Sequence, residues 1–119
     1  MTLVFVYGTL KRTFENHRYL EGQVFAGTAQ TPPGFTLYEL AGYPGMVSQD
    51  GDLEGVRGEV WAVDDACLAR LDELEGVAEG LYAREPVPLG APFQGKRVEA
   101  YFYLRGTEGR PRVGSDWPG

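Results

Sequence analysis

The sequence predicts a single α+β domain built mostly from short strands, with one well-marked helix. Seventeen glycines and eight prolines among 119 residues call for frequent tight turns, which suits short strands better than a helical bundle. Only residues 66–75 combine a capping acid, helical spacing of apolar residues and a terminating glycine. The length allows one buried core and is too short for two. Neither an internal repeat nor an interdomain linker is visible.

The elements follow in order. Leu3-Val4-Phe5-Val6-Tyr7 is a continuous apolar run, as expected of a strand covered on both faces. It stops at Gly8-Thr9-Leu10. Residues 12–21 are polar and suit a short helix. Between residues 23 and 47, short strands are broken by Pro32-Pro33-Gly34 and Gly42-Tyr43-Pro44-Gly45, and Gln49-Asp50-Gly51-Asp52 forms a further turn. Residues 53–63 alternate as a strand, with Gly55 and Gly58 marking a bulge or a close backbone approach. Asp64-Asp65 caps the helix at 66–75, and Gly76 ends it. Residues 82–89 and 98–104 read as two more strands. The domain is expected to span residues 1–105, with 106–119 a loosely ordered tail unless Trp117 docks.

Composition narrows the function. A net charge of −6 and a pI near 4.7 disfavour nucleic acid and an anionic membrane surface, since both require a gathered basic face. One histidine and one cysteine cannot form a Cys/His zinc cage or an internal disulfide. No acidic loop has the spacing of a carboxylate metal site, so neither a metal nor a cofactor is expected. No apolar run approaches a bilayer span, and the apolar start lacks a basic leader and cleavage site. A cytoplasmic protein acting on a small molecule, as monomer or homodimer, is the expectation.

The helix carries an acid inside its apolar stripe, between Leu68 and Leu71. At about 100° per residue from Leu68, Leu71 falls near 300°, Leu74 near 240° and Glu75 near 340°, whereas Glu73 points away near 140°. Two readings of Glu75 are open. At a fraying helix end its side chain could reach water or Arg84. Alternatively, it faces a pocket, where desolvation raises its pKa towards the value a general base needs.

The turn after the first strand also has two readings. Gly8 permits a close backbone approach, and successive N–H groups at 8–10 can form a donor site for a carboxylate or oxyanion, with Thr9 and Tyr7 beside it. The plain alternative is a strand-ending turn with a buried tyrosine. No G-x-G-x-x-G follows this strand, and Gly95-Lys96-Arg97 lacks the upstream spacing of a phosphate loop.

Together these residues resemble the γ-glutamylcyclotransferase superfamily. The resemblance rests on four ordered blocks: residues 4–12 (VFVYGTLKR), residues 56–63 (VRGEVWAV), Leu71-Asp72-Glu73-Leu74-Glu75 and Leu81-Tyr82-Ala83-Arg84. It covers roughly residues 3–104, most of the chain. The opening block with Asn16-His17-Arg18 is particularly similar to γ-glutamylamine cyclotransferase. The resemblance implies a small mixed β-barrel with few helices, and a cavity at the end of the first strand. It places the catalytic glutamate on Glu75 and the substrate loop on Tyr7, Gly8, Thr9 and Leu10. Tyr82 would line the same cavity, Glu59 would be structural, and Arg84 would be an ion-pair partner rather than a substrate clamp. Thr13 departs from the glycine often found there. The chain also ends sooner than larger members, so the far side of the pocket is expected to be open or built by a partner chain.

The implied activity is cyclisation of a γ-glutamyl amide to 5-oxoproline and a free amine, with no cofactor. Glu75→Gln is expected to abolish 5-oxoproline release with the melting temperature nearly unchanged, and Glu73→Gln to resemble wild type. Three other readings stand beside it: a binding module that keeps the cavity without turnover, a thiol hydrolase using Cys67 and His17, and an unrelated structural β-domain. Cys67 follows two acids at a helix start, which disfavours its thiolate.

Overall fold

The structure, a computed structural model, describes residues 1–118. Its strands are β1 Thr2–Val6, β2 Val24–Gln30, β3 Phe35–Glu39, β4 Pro44–Ser48, β5 Arg57–Val63, β6 Tyr82–Pro86, β7 Glu99–Tyr103 and β8 Arg112–Gly114, with one α-helix, α1, at Asp65–Leu74. All eight strands form one mixed sheet in the order β2-β5-β1-β7-β4-β3-β8, with β6 attached to β7.

The apolar run of β1 has two audiences. Phe5 packs into a cluster with Leu37, Met46, Val60, Phe93 and Val98. Val4 and Val6 point into a second cluster with Trp61, Val63, Cys67, Leu71 and Tyr101, on the side that α1 covers. Alternate side chains of a strand face opposite ways, so a strand buried on both faces must be apolar throughout. Helix α1 begins where Asp64 Oδ1 accepts the Cys67 amide at 2.7 Å, an N-cap. At Gly58 an added Cβ would lie 2.4 Å from the Val6 carbonyl oxygen, so the β1–β5 pairing demands glycine there.

The sheet is forked at β7. Along one edge β6 pairs with the whole of β7, from Tyr82 opposite Tyr103 to Pro86 opposite Glu99. Its other edge is shared: β1 runs parallel against Glu99 and Ala100, then β4 runs parallel against Phe102. Between the two partners the ladder is interrupted, and the Tyr7 hydroxyl fills the gap. It donates to the Tyr101 carbonyl at 2.6 Å and accepts the Met46 amide at 3.2 Å. Tyr7 thus satisfies two buried backbone groups that no neighbouring strand reaches.

Several expectations need correction. The end strands β2 and β8 do not pair among the described residues, so the sheet is open and not a closed barrel. Residues 106–118 are not a loose tail. Arg112–Gly114 pairs with β3, Arg112 binds the buried Asp52 carboxylate, and Trp117 is 3% exposed within the core. Docking of Trp117 therefore extends the domain past residue 105. The helix expected at 12–21 shrinks to one 3-10 turn, His17–Leu20, because this segment buries only Leu20 of that turn and lacks an apolar stripe to hold more. Strand β5 starts at Arg57 instead of Leu53, since the Asp52 carboxylate accepts the amides of Glu54 and Gly55 and folds that stretch into a turn.

Thr13 adopts φ +73°, where a β-branched residue is strained. Thr13→Asn is expected to raise the unfolding free energy by about 1 kcal/mol, since asparagine tolerates this region. A higher urea midpoint at unchanged slope would show it; an unchanged midpoint would refute the strain.

Candidate active site

The site lies where β1 and β4 part. The chain leaves β1 through Gly8-Thr9-Leu10, and the Lys11 amide closes a turn on the Gly8 carbonyl at 3.1 Å. Gly8 sits hard against Pro44 at the start of β4: an added Cβ would lie 2.5 Å from Pro44 Cγ. No backbone or side-chain acceptor among the described residues takes the N–H of Gly8, Thr9 or Leu10. These amides are donors left over at the wall of a cavity.

The following residues fasten that loop. Asn16 donates through its backbone amide to the Thr9 carbonyl and through Nδ2 to Thr9 Oγ1, each at 2.9 Å. His17 Nδ1 donates to the Leu10 carbonyl at 3.0 Å, and its ring packs on Trp61. Further out, Glu59 accepts the Arg12 amide and guanidinium and the Trp61 indole N–H. Glu59 is therefore a buried anchor of the loop's exit. The sequence did not single out Asn16 or His17 as holding the loop; their short spacing from Thr9 and Leu10 was the available signal for a loop clasp.

Glu75 is the C-cap of α1, its amide still bonded to the Leu71 carbonyl at 2.9 Å. Its helical phase therefore persists, at the edge of a stripe centred on Cys67 and Leu71, the buried residues of the helix. Glu73 is exposed, while Glu75 is half-buried. No ion-pair partner for Glu75 occurs among the described residues. Loss of water without a compensating cation pushes its pKa from 4.5 up to about 7. Of the two open readings, pairing with Arg84 is removed. Arg84 is taken by Asp72, through Nε at 2.8 Å and a second nitrogen at 3.0 Å, and by Glu99 at 2.6 Å. Tyr101 also donates to Asp72 at 2.7 Å. These bonds fix α1 to β6 and β7 one turn before Glu75.

Tyr82, on β6, donates to the Pro44 carbonyl at 2.8 Å. Burial, then the charge of Glu75, pushes the Tyr7 phenol far above its ordinary pKa, and burial does the same for Tyr82. Both phenols stay protonated. A cavity of about 330 Å³ brings Tyr7, Gly8, Thr9, Leu10, Glu75 and Tyr82 together. Tyr43, Pro44 and Tyr101 also line it; the sequence did not single them out as site residues, because their role depends on the fork. Its charged lining residues are Glu75 and Glu15, with no lysine or arginine. Cys67 is buried in the helical cluster and absent from the cavity lining.

A family model described as gamma-glutamyl cyclotransferase, AIG2-like, matches residues 4–118. The chain belongs to this family. A Vibrio cholerae relative, provisionally named a gamma-glutamylcyclotransferase, is 47% identical over 75 residues, 63% of each chain. The match to an Arabidopsis thaliana relative spans 52% of that protein, so the chain covers between half and two thirds of these two relatives. The gamma-glutamylcyclotransferase family protein YtfP of Escherichia coli is 33% identical over 117 residues, covering 96% of this chain and 94% of its own. The solution structure of Escherichia coli YtfP superposes with a TM-score of 0.74 at 31% identity, over 98% of this chain and 96% of that one. An AIG2-like protein from Mus musculus gives a TM-score of 0.71 at 28% identity, over 90% and 78% of the two chains. The gamma-glutamyl cyclotransferase family thus accounts for the mixed sheet, the single helix and the residue span. Within this AIG2-like fold, no helix of the described residues is long and apolar enough to cross a membrane.

Proposed function

We propose that the chain is a γ-glutamyl cyclotransferase-type enzyme, of the γ-glutamylamine kind, that releases 5-oxoproline and a free amine by intramolecular aminolysis. The observation that carries this reading is a desolvated, unpaired carboxylate, Glu75, facing the same cavity as the unpartnered amides of residues 8–10. A γ-glutamyl amide brings its own nucleophile, so the protein has to fold the substrate and move protons.

In this mechanism Glu75 accepts a proton from the substrate α-ammonium. The freed amine attacks the γ-carbonyl carbon, forming the ring C–N bond and a tetrahedral oxyanion. Glu75 then returns the proton to the departing nitrogen as the original C–N bond breaks, and the second proton of the ring nitrogen passes to the released amine, which leaves a neutral lactam and an ammonium. The amides at 8–10 hold the substrate's α-carboxylate or the oxyanion. The protonated phenols of Tyr7 and Tyr82 wall the reacting groups, and much of the acceleration comes from holding amine and carbonyl in contact. A pKa near 7 suits a group that must both take and give a proton.

A panel of γ-glutamyl compounds, read as 5-oxoproline formed, tests the reading. Calorimetric binding without 5-oxoproline would favour a binding module instead. Gly8→Ala is expected to lower kcat/KM by roughly 100-fold, because its new methyl drives the loop off Pro44 and a shift near 1 Å costs about that much. Wild-type turnover in Gly8→Ala would show that the loop does not bind the substrate.

A further inference from the structure

The charge inside the cavity has one sign. Glu75 is half-buried within it, Glu15 is exposed at its opening, and no lysine or arginine belongs to the lining. The nearby cations are engaged elsewhere. Arg12 is bound to Glu59 and stacked 3.9 Å over Phe25. Arg18 donates to the backbone carbonyl of Glu15 at 2.9 Å and lies over Tyr19. The Glu15 carboxylate has no ion-pair partner among the described residues.

On the reading of the function given above, the γ-glutamyl head sits inside, beside Glu75 and the amides of residues 8–10. The leaving amine then extends towards the mouth, where Glu15 stands. We propose that Glu15 is a specificity-determining residue, and that the cavity selects γ-glutamyl amides whose leaving amine carries a second positive charge and no carboxylate. An anionic leaving group would meet a carboxylate and no compensating cation. A distal ammonium would meet an unpaired one. At the edge of a cavity, one such contact is worth about a tenfold change.

Three γ-glutamyl amides of matched length test this: those of 1,4-diaminobutane, butylamine and 4-aminobutyrate. The expected order of kcat/KM is cationic above neutral above anionic, with about tenfold between successive members. Glu15→Gln should compress the cation-to-anion ratio by about tenfold, and Glu15→Lys should invert the order. Glu21→Gln, which removes an exposed carboxylate outside the cavity, should leave the ratio as in wild type. Equal rates for the three amides, or an equal fall in the ratio with Glu21→Gln, would overturn the role of Glu15. Failure of all three to yield 5-oxoproline would instead sink the proposed reaction. Calorimetric affinities for the same compounds then decide the charge preference separately: cationic strongest supports it, and equal affinities reject it.

Discussion

Glu75→Gln is expected to reduce 5-oxoproline release by at least about 100-fold, the usual lower bound for losing a general acid–base group, while raising stability at pH 8. The second half refines the expectation of an unchanged melting temperature. Because burial lifts the Glu75 pKa from 4.5 to about 7, the folded state holds its proton over a range in which the unfolded chain has lost it. Below pH 4.5 both states are protonated and Glu75 imposes no penalty. Between pH 4.5 and 7 the penalty grows with pH, and above 7 it is complete. Glutamine removes it, so the variant should gain about 1–3 kcal/mol at pH 8 and almost nothing at pH 4. Thermal melts at both pH values read this directly. Equal gains at the two pH values would show that desolvation of Glu75 is not the cause. In wild type, kcat/KM should rise through an apparent pKa near 7, the acidic limb of Glu75. Glu73→Gln, altered at an exposed position, should match wild type in both assays.

Tyr7→Phe is expected to cost about 3 kcal/mol, because the Tyr101 carbonyl and the Met46 amide are both left buried without a partner. For a chain of this size that corresponds to a fall in Tm of roughly 10 °C. The loss should be local as well as global: hydrogen exchange at the Met46 amide should accelerate more than at amides paired within β5 and β1. Tyr38→Phe is the comparison, since that hydroxyl donates to the side chain of Gln49 rather than to a buried backbone group, and its loss should cost about 1 kcal/mol or less. A Tm for Tyr7→Phe within 2 °C or so of wild type would mean that the fork does not depend on the phenol.

Much of this was legible because it is local. The run at residues 3–7 announces a doubly covered strand, and Val4, Phe5 and Val6 are all buried. Asp64 sits where its carboxylate meets the Cys67 amide, so the helix start is written in adjacent residues. Helical phase also separates half-buried Glu75 from exposed Glu73. What escaped is nonlocal. Arg112 finds Asp52 and Trp117 finds the core only after the sheet has formed, and a Gly- and charge-rich stretch gives no local sign of that. The fork escaped for the same reason: the pattern of β7 says that it is buried, not that β1 and β4 divide one of its edges. The walls that Tyr43, Pro44 and Tyr101 give the cavity follow from that division.

The fork also implies an expected order of assembly. Val4 meets Glu99 across 95 positions of sequence, so the first strand waits for nearly the whole chain before its second neighbour exists. Until β7 docks, β1 can be covered on the β5 side alone, and the free edge of an apolar strand is open to other chains. Such distant pairings fold slowly. The cavity, lying at the junction that β7 completes, is then expected among the last features to form. A partly folded intermediate would carry the helix and its glutamate but have nowhere to put a substrate, so ligand added during refolding should speed no early step and only trap the finished product.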